Sequence, residues 1–235
     1  MGIVAGVDGR RGGWALVVVD VGAAVVLDVA EVPGQDAEGA RALLDRCRAA
    51  GARAVGVDAP IGLPAGVWRP ADLLAKRRLG RAQARVFLTA PREVLTQPTY
   101  ALARAACRVA MDGKGLSAQA YGIRGPVLAL DAVLAASPWA RGHVVEVHPE
   151  LSFMAMGARG PGDALASKRT DVGVEQRLAA LATWLPGVRD LELPRGDDHL
   201  DALAAAWSAD RWAHGTAEVI GGEPDALGRP MRIVV

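Results

Sequence analysis

The sequence predicts an α/β fold built on one mixed β-sheet, and three observations support this prediction. Short apolar runs typical of strands fill much of the first 58 residues. Two of these runs end at an aspartate, Asp8 and Asp58. An amphipathic segment separates the third run from the fourth, and glycine and proline punctuate the turns. The chain therefore begins with the order β-β-β-α-β.

The first three predicted strands are joined by short turns and form an antiparallel meander; they cover residues 3–7, 14–19 and 24–32. Asp36 is placed to cap a helix that runs to residue 50, with Leu43 and Cys47 on its inner face. The fourth strand, residues 54–57, ends at Asp58 because Ala59-Pro60 follows it.

Residues 60–140 go beyond what a minimal version of this fold needs, and they predict a largely helical insertion within a single domain of residues 1–235. A fifth strand is expected at 143–147, with Pro149 opening the next helix. The remaining expected elements are helices in 69–85, 99–111, 127–136 and 175–184, and short terminal strands at 216–220 and 232–235.

The last predicted helix opens with the acidic stretch Asp197-Asp198-His199-Leu200-Asp201. Asp198 and Asp201 are three residues apart, so they share one helical face beside an apolar stripe. Two interpretations are open for these acids: a cap and dipole role at the helix N-terminus, or binding of a divalent metal. Whether Asp197 or Asp198 is the better candidate ligand also stays open.

The composition excludes several classes of protein. With a net charge of +1, the chain lacks the strongly positive field that many dedicated nucleic-acid binders carry. Cys47 and Cys107 show neither zinc-site spacing nor a disulfide framework, so we expect reduced thiols in a cytoplasmic protein. We expect no signal peptide and no membrane partner. The abundance of alanine, arginine and glycine is typical of a GC-rich bacterial genome.

Five acids are candidates for one site: Asp8, Asp58, Glu146, Asp198 and Asp201. Acids at strand ends converge with the start of a facing helix, and such a cluster needs a counterion because like charges repel. Mg²⁺ or Mn²⁺ suits carboxylate oxygen. We expect Asp8, Asp58, Asp198 and Asp201 as metal ligands, with Glu146 as an accessory ligand, in a two-metal phosphodiester hydrolysis.

Several motifs together resemble the predicted RNase H-like nuclease family catalogued as domain of unknown function 429: Val7-Asp8-Gly9 through Gly12-Gly13-Trp14, Val57-Asp58-Ala59-Pro60-Ile61-Gly62, Glu146-Val147-His148-Pro149-Glu150-Leu151-Ser152-Phe153, Ser167-Lys168-Arg169-Thr170, and Asp197-Asp198 through Trp207. The stretch Asp198–Ala204 is also similar to the last helix of Holliday-junction resolvases. The resemblance implies an RNase H-like fold and a metal-dependent nuclease that leaves 5′-phosphate ends. Fold alone does not fix function.

Basic side chains near these acids are candidates for phosphate contacts: Arg10, Arg11, Arg77, Arg81 and Lys168. For Arg77 and Arg81, on a predicted helix, a solvated surface face is an equal alternative. The resemblance supports Lys168, through the Ser-Lys-Arg-Thr motif.

The sequence therefore predicts a Mg²⁺- or Mn²⁺-dependent nuclease whose partner is nucleic acid, with DNA and RNA unresolved and a homodimer left open. Two alternatives remain. An actin-like or sugar-kinase-type phosphotransferase or ATPase would use Gly9, Gly12 and Gly13 to cradle phosphate. A binding protein would keep the fold without the chemistry.

Overall fold

The computed structural model describes residues 2–157, 159–160, 162–194 and 196–235. In this part of the chain the centre is a five-stranded sheet of β1 (Ile3–Arg10), β2 (Gly13–Asp20), β3 (Val25–Pro33), β4 (Ala54–Asp58) and β5 (Val144–Glu146). The strand order is β3-β2-β1-β4-β5. Strand β2 is antiparallel to β1 and β3, whereas β1, β4 and β5 are parallel. This is an RNase H-like arrangement, and the predicted fold class is confirmed.

The helices are α1 (Ala37–Ala49), α2 (Pro70–Leu79), α3 (Arg92–Leu95), α4 (Tyr100–Ala110), α5 (Ala118–Gly122), α6 (Arg124–Ala136), α7 (Pro138–His143), α8 (Pro149–Met156), α9 (Asp171–Ala182) and α10 (Asp198–Ala213). Two 3-10 helices span Gly80–Arg85 and Pro186–Asp190. Among the described residues, no helix combines the length and apolar character needed to cross a membrane.

The structure differs from the sequence prediction mainly at element ends. Strand β1 continues to Arg10, which pairs with Gly13 across a tight turn, and Gly12 supplies the positive φ of 82° there. Helix α9 begins at Asp171, because the hydroxyl of Thr170 accepts a hydrogen bond from the Gly173 N–H. The terminal strands pair with each other, as β6 (Val219–Pro224) and β7 (Pro230–Val234), in a sheet of their own.

The central sheet is covered on both faces. Helix α10 packs along β1 and β4 on one face, where its buried residues join those of α8 and α9. On the other face, α1 and α6 enclose a core that includes Trp14 and Leu43. A third cluster joins α3, α4 and α5 with residues on either side of them.

Helix α10 lies unusually close to the sheet because two strand positions carry glycine. A Cβ atom on Gly6 would lie 1.8 Å from the carbonyl oxygen of Ala202, and one on Gly56 would lie 2.2 Å from that of Ala205. Any side chain at either position would push the helix away. The small residues of α10 face these glycines, which fixes the height of the helix above β1 and β4.

Candidate acidic cleft

Strands β1 and β4 place two aspartates side by side at the carboxyl edge of the sheet. Asp8 and Asp58 are directly paired in the parallel register. Both follow, by two residues, a glycine that contacts α10, so both side chains are on the α10 face. Asp201, in the first turn of α10, lines the same cleft. The structure thus brings together three predicted site residues, Asp8, Asp58 and Asp201, here called the acidic cluster.

The acidic cluster holds protons more tightly than free aspartates do. Burial, followed by the charges of Asp58 and Asp201, raises the pKa of Asp8 well above its ordinary value. Burial raises the pKa of Asp58 to about 7 and that of Asp201 to about 6, although the charge of Lys168 opposes both shifts. A cation beside the cluster would therefore stabilise its deprotonated, charged form.

Lys168 supplies that positive charge in this structure. Its Nζ lies 2.6 Å from Oδ2 of Asp201 and 2.7 Å from Oδ2 of Asp197. Burial disfavours the ammonium charge, but Asp201 and Asp197 more than compensate, so the pKa of Lys168 is raised. The backbone around it is anchored, because Ala166 bonds to Gln176 through its N–H and to Arg177 through its carbonyl.

The two adjacent acids at the start of α10, Asp197 and Asp198, face different cations. Asp197 accepts the hydrogen bond from Lys168, and this bond lowers the pKa of Asp197 despite the opposing effect of burial. Asp198 is turned toward Arg10, with 3.5 Å between Oδ2 and Nε. Asp198 still adds to the negative field at Asp8. Asp197, and not the predicted ligand Asp198, therefore contacts Lys168, the cation of the acidic cluster.

Glu146 is already occupied by protein donors. Both of its carboxylate oxygens lie 2.7 Å from Nη2 of buried Arg69, and Oε2 also accepts the Ile61 N–H at 2.7 Å. In the sheet Glu146 is paired with Val57, so strand alternation places it on the face opposite Asp58. Burial raises the pKa of Glu146 and the Arg69 charge opposes that rise. The contacts fit a carboxylate that fixes the chain after Asp58.

Sequence reasoning missed a sixth acid, Glu150 in the first turn of α8. Its carboxylate contacts Arg85 at 2.6 Å and buried Arg177 at 2.5 Å, and its charge adds to the shifts at Asp58 and Asp201. Glu150 lines the same cleft as the acidic cluster. The one feature of the sequence that could have indicated Glu150 is its place in the His148-Pro149-Glu150 motif. Its partner Arg177 lies 27 residues away along the chain.

The acidic cluster opens into a cleft of about 520 Å³, here called the acidic cleft. One wall comes from the sheet edge and α10, and the facing wall comes from the helical segment between β4 and β5, including Phe87 and Ile123. Phe87 is 41% exposed there. Arg85, Lys168 and Arg169 add cationic groups to the lining. The cleft therefore combines buried carboxylates, cations and one accessible aromatic ring.

The predicted phosphate-binding residues are spread over different places. Lys168 lines the cleft, whereas Arg10 is not part of the lining and pairs with Glu31 and Asp198. Arg11, Arg77 and Arg81 are exposed and are not part of the cleft lining. The arginines that line the cleft are Arg85 and Arg169.

A hard divalent cation fits the donor chemistry of the acidic cluster. Oδ1 of Asp201 is buried and has no hydrogen-bond partner, and carboxylates are the oxygen ligands that Mg²⁺ and Mn²⁺ prefer. In the side-chain positions of this structure, the described residues hold no group of three His, Cys, Asp or Glu side chains arranged to bind a metal ion. Lys168 instead bridges Asp201 and Asp197.

Comparison with solved structures finds two forms of the same Thermus thermophilus protein. RuvC in complex with Holliday junction substrate is 21% identical, with 92% of this chain and 98% of that chain covered and a TM-score of 0.46. The Thermus thermophilus RuvC structure is 20% identical, with 91% and 97% covered and a TM-score of 0.42. No curated protein matches the sequence. A family model described as "Protein of unknown function (DUF429)" matches residues 6–226, and the chain belongs to this family.

Proposed function

We propose that this protein is a phosphodiesterase that cleaves nucleic acid and depends on Mg²⁺ or Mn²⁺. One observation carries the proposal: Asp8, Asp58 and Asp201 come from two strands and a helix, yet they line one cleft, where burial raises the pKa values of all three. Burying three like charges together destabilises a protein unless they have a function or a counterion. The RNase H-like topology places them at the sheet edge where ligands of such sheets bind.

In this proposal Asp8, Asp58 and Asp201 hold the ion, and Asp197 or Asp198 adds a ligand at the rim. The chemistry that a divalent ion supplies there is activation of water and stabilisation of the charge that develops on the phosphate. Glu146 is left out of the ligand set because Arg69 and the Ile61 N–H occupy its oxygens. Its part is to hold the segment that follows Asp58.

The cationic side chains of the cleft position the phosphodiester. Arg85 is held by Glu150 and by the carbonyl of Leu165, so its guanidinium is fixed at the cleft wall. Arg169 is exposed beside it and can reach a backbone phosphate. Lys168 contacts Asp197 and Asp201 in this structure; if a divalent ion took over these carboxylates, its ammonium would be available to phosphate as a point charge. The cleft therefore offers three cations to a polyanion.

The proposal is tested by cleavage of labelled DNA and RNA: single-stranded, duplex, hybrid and branched. Each substrate is incubated with Mg²⁺, Mn²⁺ or EDTA. We expect metal-dependent cleavage by the wild type and a loss of about 10²-fold or more in Asp8→Asn and Asp58→Asn. ATP hydrolysis is measured in the same buffers, since a phosphotransferase or ATPase would act on ATP instead.

Asp45→Asn is the matched control, because Asp45 is an exposed aspartate on α1. It should cleave like the wild type. Cleavage that survives in both Asp8→Asn and Asp58→Asn would come from another site or a contaminant, and the proposal would then be wrong.

A further inference from the structure

A second cavity, of about 490 Å³, lies behind the carboxylate of Glu146. Glu146 lines both this cavity and the acidic cleft, and no other lining residue is common to the two. We call it the arginine cavity, because Arg141, Arg229 and Arg232 line it. It is enclosed by β5, the end of α6 and the turn between β6 and β7. Its size lies within the range of small-ligand sites, roughly 300–1,000 Å³.

Positive charge exceeds negative charge around the arginine cavity. In the described part of the chain, Arg232 has no carboxylate within 4.0 Å, and its guanidinium lies 4.3 Å from the centre of the Trp212 ring. Arg141 directs Nη1 to the carbonyls of Leu134 and Ala135, which carry no formal charge. These two guanidiniums therefore keep donors for an anion.

The acids beside the cavity already form ion pairs with arginines. Asp131 pairs with both Arg229 and Arg92, and Arg92 also lies 3.9 Å from Asp225. Glu146 is neutralised by Arg69 from the other side. Burial lowers the pKa of Arg232, and burial together with the charge of Arg92 lowers that of Arg229.

Most of the remaining lining is apolar. Leu134 and Val144 form part of the floor, and Leu227, in the turn between β6 and β7, is 60% exposed at the mouth. A small inorganic ion would leave this surface uncovered. A ligand with an anionic group and an apolar, ring-sized body would meet both parts of the lining.

We propose that the arginine cavity binds an organic phosphate of the size of a nucleoside monophosphate. Arg141 and Arg232 take the phosphate, since guanidinium groups bind phosphate oxygens in a bidentate manner. Leu134, Val144 and Leu227 cover the base and sugar. This site does not depend on the acidic cluster, so it goes beyond the nuclease function proposed above.

The test is calorimetric titration of the full chain with adenosine 5′-monophosphate, adenosine and inorganic phosphate, all in EDTA. We expect the monophosphate to bind at least about tenfold more tightly than either of its two parts, since it uses both the charged and the apolar surface. Arg232→Met and Arg141→Met should each weaken its binding about tenfold or more. Arg48→Met, at an exposed arginine on α1, should bind like the wild type.

Asp58→Asn separates this cavity from the acidic cleft. Binding that is unchanged in Asp58→Asn and weakened in Arg232→Met supports the proposal. Binding that is changed in Asp58→Asn and unchanged in Arg232→Met would place the nucleotide in the cleft and overturn it. Absence of binding by the wild type would also overturn it, and neither of these results bears on metal-dependent cleavage.

Discussion

At the scale of single residues, Lys168 governs the charge of the acidic cluster. Its ammonium contacts Asp201 and Asp197 at 2.6 and 2.7 Å, while Oδ1 of Asp201 stays buried without a partner. A divalent ion that binds Asp201 has to displace this internal cation or share the carboxylate with it. Under the proposed function, we therefore expect Lys168 to compete with the metal for Asp201.

The substitution Lys168→Met tests this competition. We expect the variant to bind Mn²⁺ about tenfold more tightly than the wild type, because the carboxylates lose their internal counterion. Calorimetric titration measures the affinity. Lys114→Met, at an exposed loop lysine, should leave the affinity unchanged. Weaker binding by Lys168→Met would show that the lysine supports the metal site instead of competing with it.

The raised pKa values of Asp58, about 7, and Asp201, about 6, predict how metal binding depends on pH. Both exceed the unfolded value of about 3.9, so the folded protein holds more protons and these groups stabilise it less as pH rises toward 7. Mg²⁺ needs the deprotonated carboxylates. The increase in Tm caused by Mg²⁺ should therefore be larger at about pH 8 than at about pH 5.5. Equal increases at both pH values would contradict these shifts.

At the scale of elements, the contact between α10 and the sheet determines whether Asp201 reaches Asp8 and Asp58. Gly6 and Gly56 let the α10 backbone approach β1 and β4, and Ser152 on α8 bonds to Ser208 on α10 at 2.8 Å between hydroxyl oxygens. The helix is thus held from the sheet and from its neighbour. The position of the site depends on this packing more than on any loop.

The substitution Gly56→Ala tests that packing. Its Cβ would lie 2.2 Å from the carbonyl oxygen of Ala205, so α10 must shift, and we expect a loss of about 1–3 kcal/mol in the free energy of unfolding. Chemical denaturation measures it. Gly142→Ala is the matched control, since a Cβ there meets nothing within 4 Å. Equal stability of the two variants would refute the close approach.

At the scale of the whole molecule, the sheet was predictable because its strands and turns are local patterns. Short apolar runs identified strands β1 to β4, and the stop at Ala59-Pro60 marked the end of β4. Asp36, as an N-cap, identified the start of α1. That Asp8 and Asp58 share one site was expected because each follows a short apolar run, and the structure pairs them in the parallel strands β1 and β4. The helical spacing of Asp198 and Asp201 identified the α10 acids, and the family motif supported Lys168.

Other parts of the site depend on contacts between distant residues, which no local pattern reveals. Glu146 lies in the predicted fifth strand, but its partner Arg69 is 77 residues away. Tertiary packing also determines two further ion pairs, Glu150 with Arg177 and Asp197 with Lys168. The assignment of residues 60–140 as an insertion within one domain stays a prediction, although these residues supply the second wall of the acidic cleft.

The central claim is that Asp8, Asp58 and Asp201 form a divalent metal site, and calorimetric titration with Mn²⁺ tests it most directly. We expect saturable binding by the wild type and by the exposed control Asp45→Asn. We expect binding weakened at least tenfold, about 1.4 kcal/mol, in Asp8→Asn, Asp58→Asn and Asp201→Asn. Circular dichroism of each variant confirms that it is folded. Wild-type affinity retained in all three folded variants would show that the acidic cluster is not the metal site.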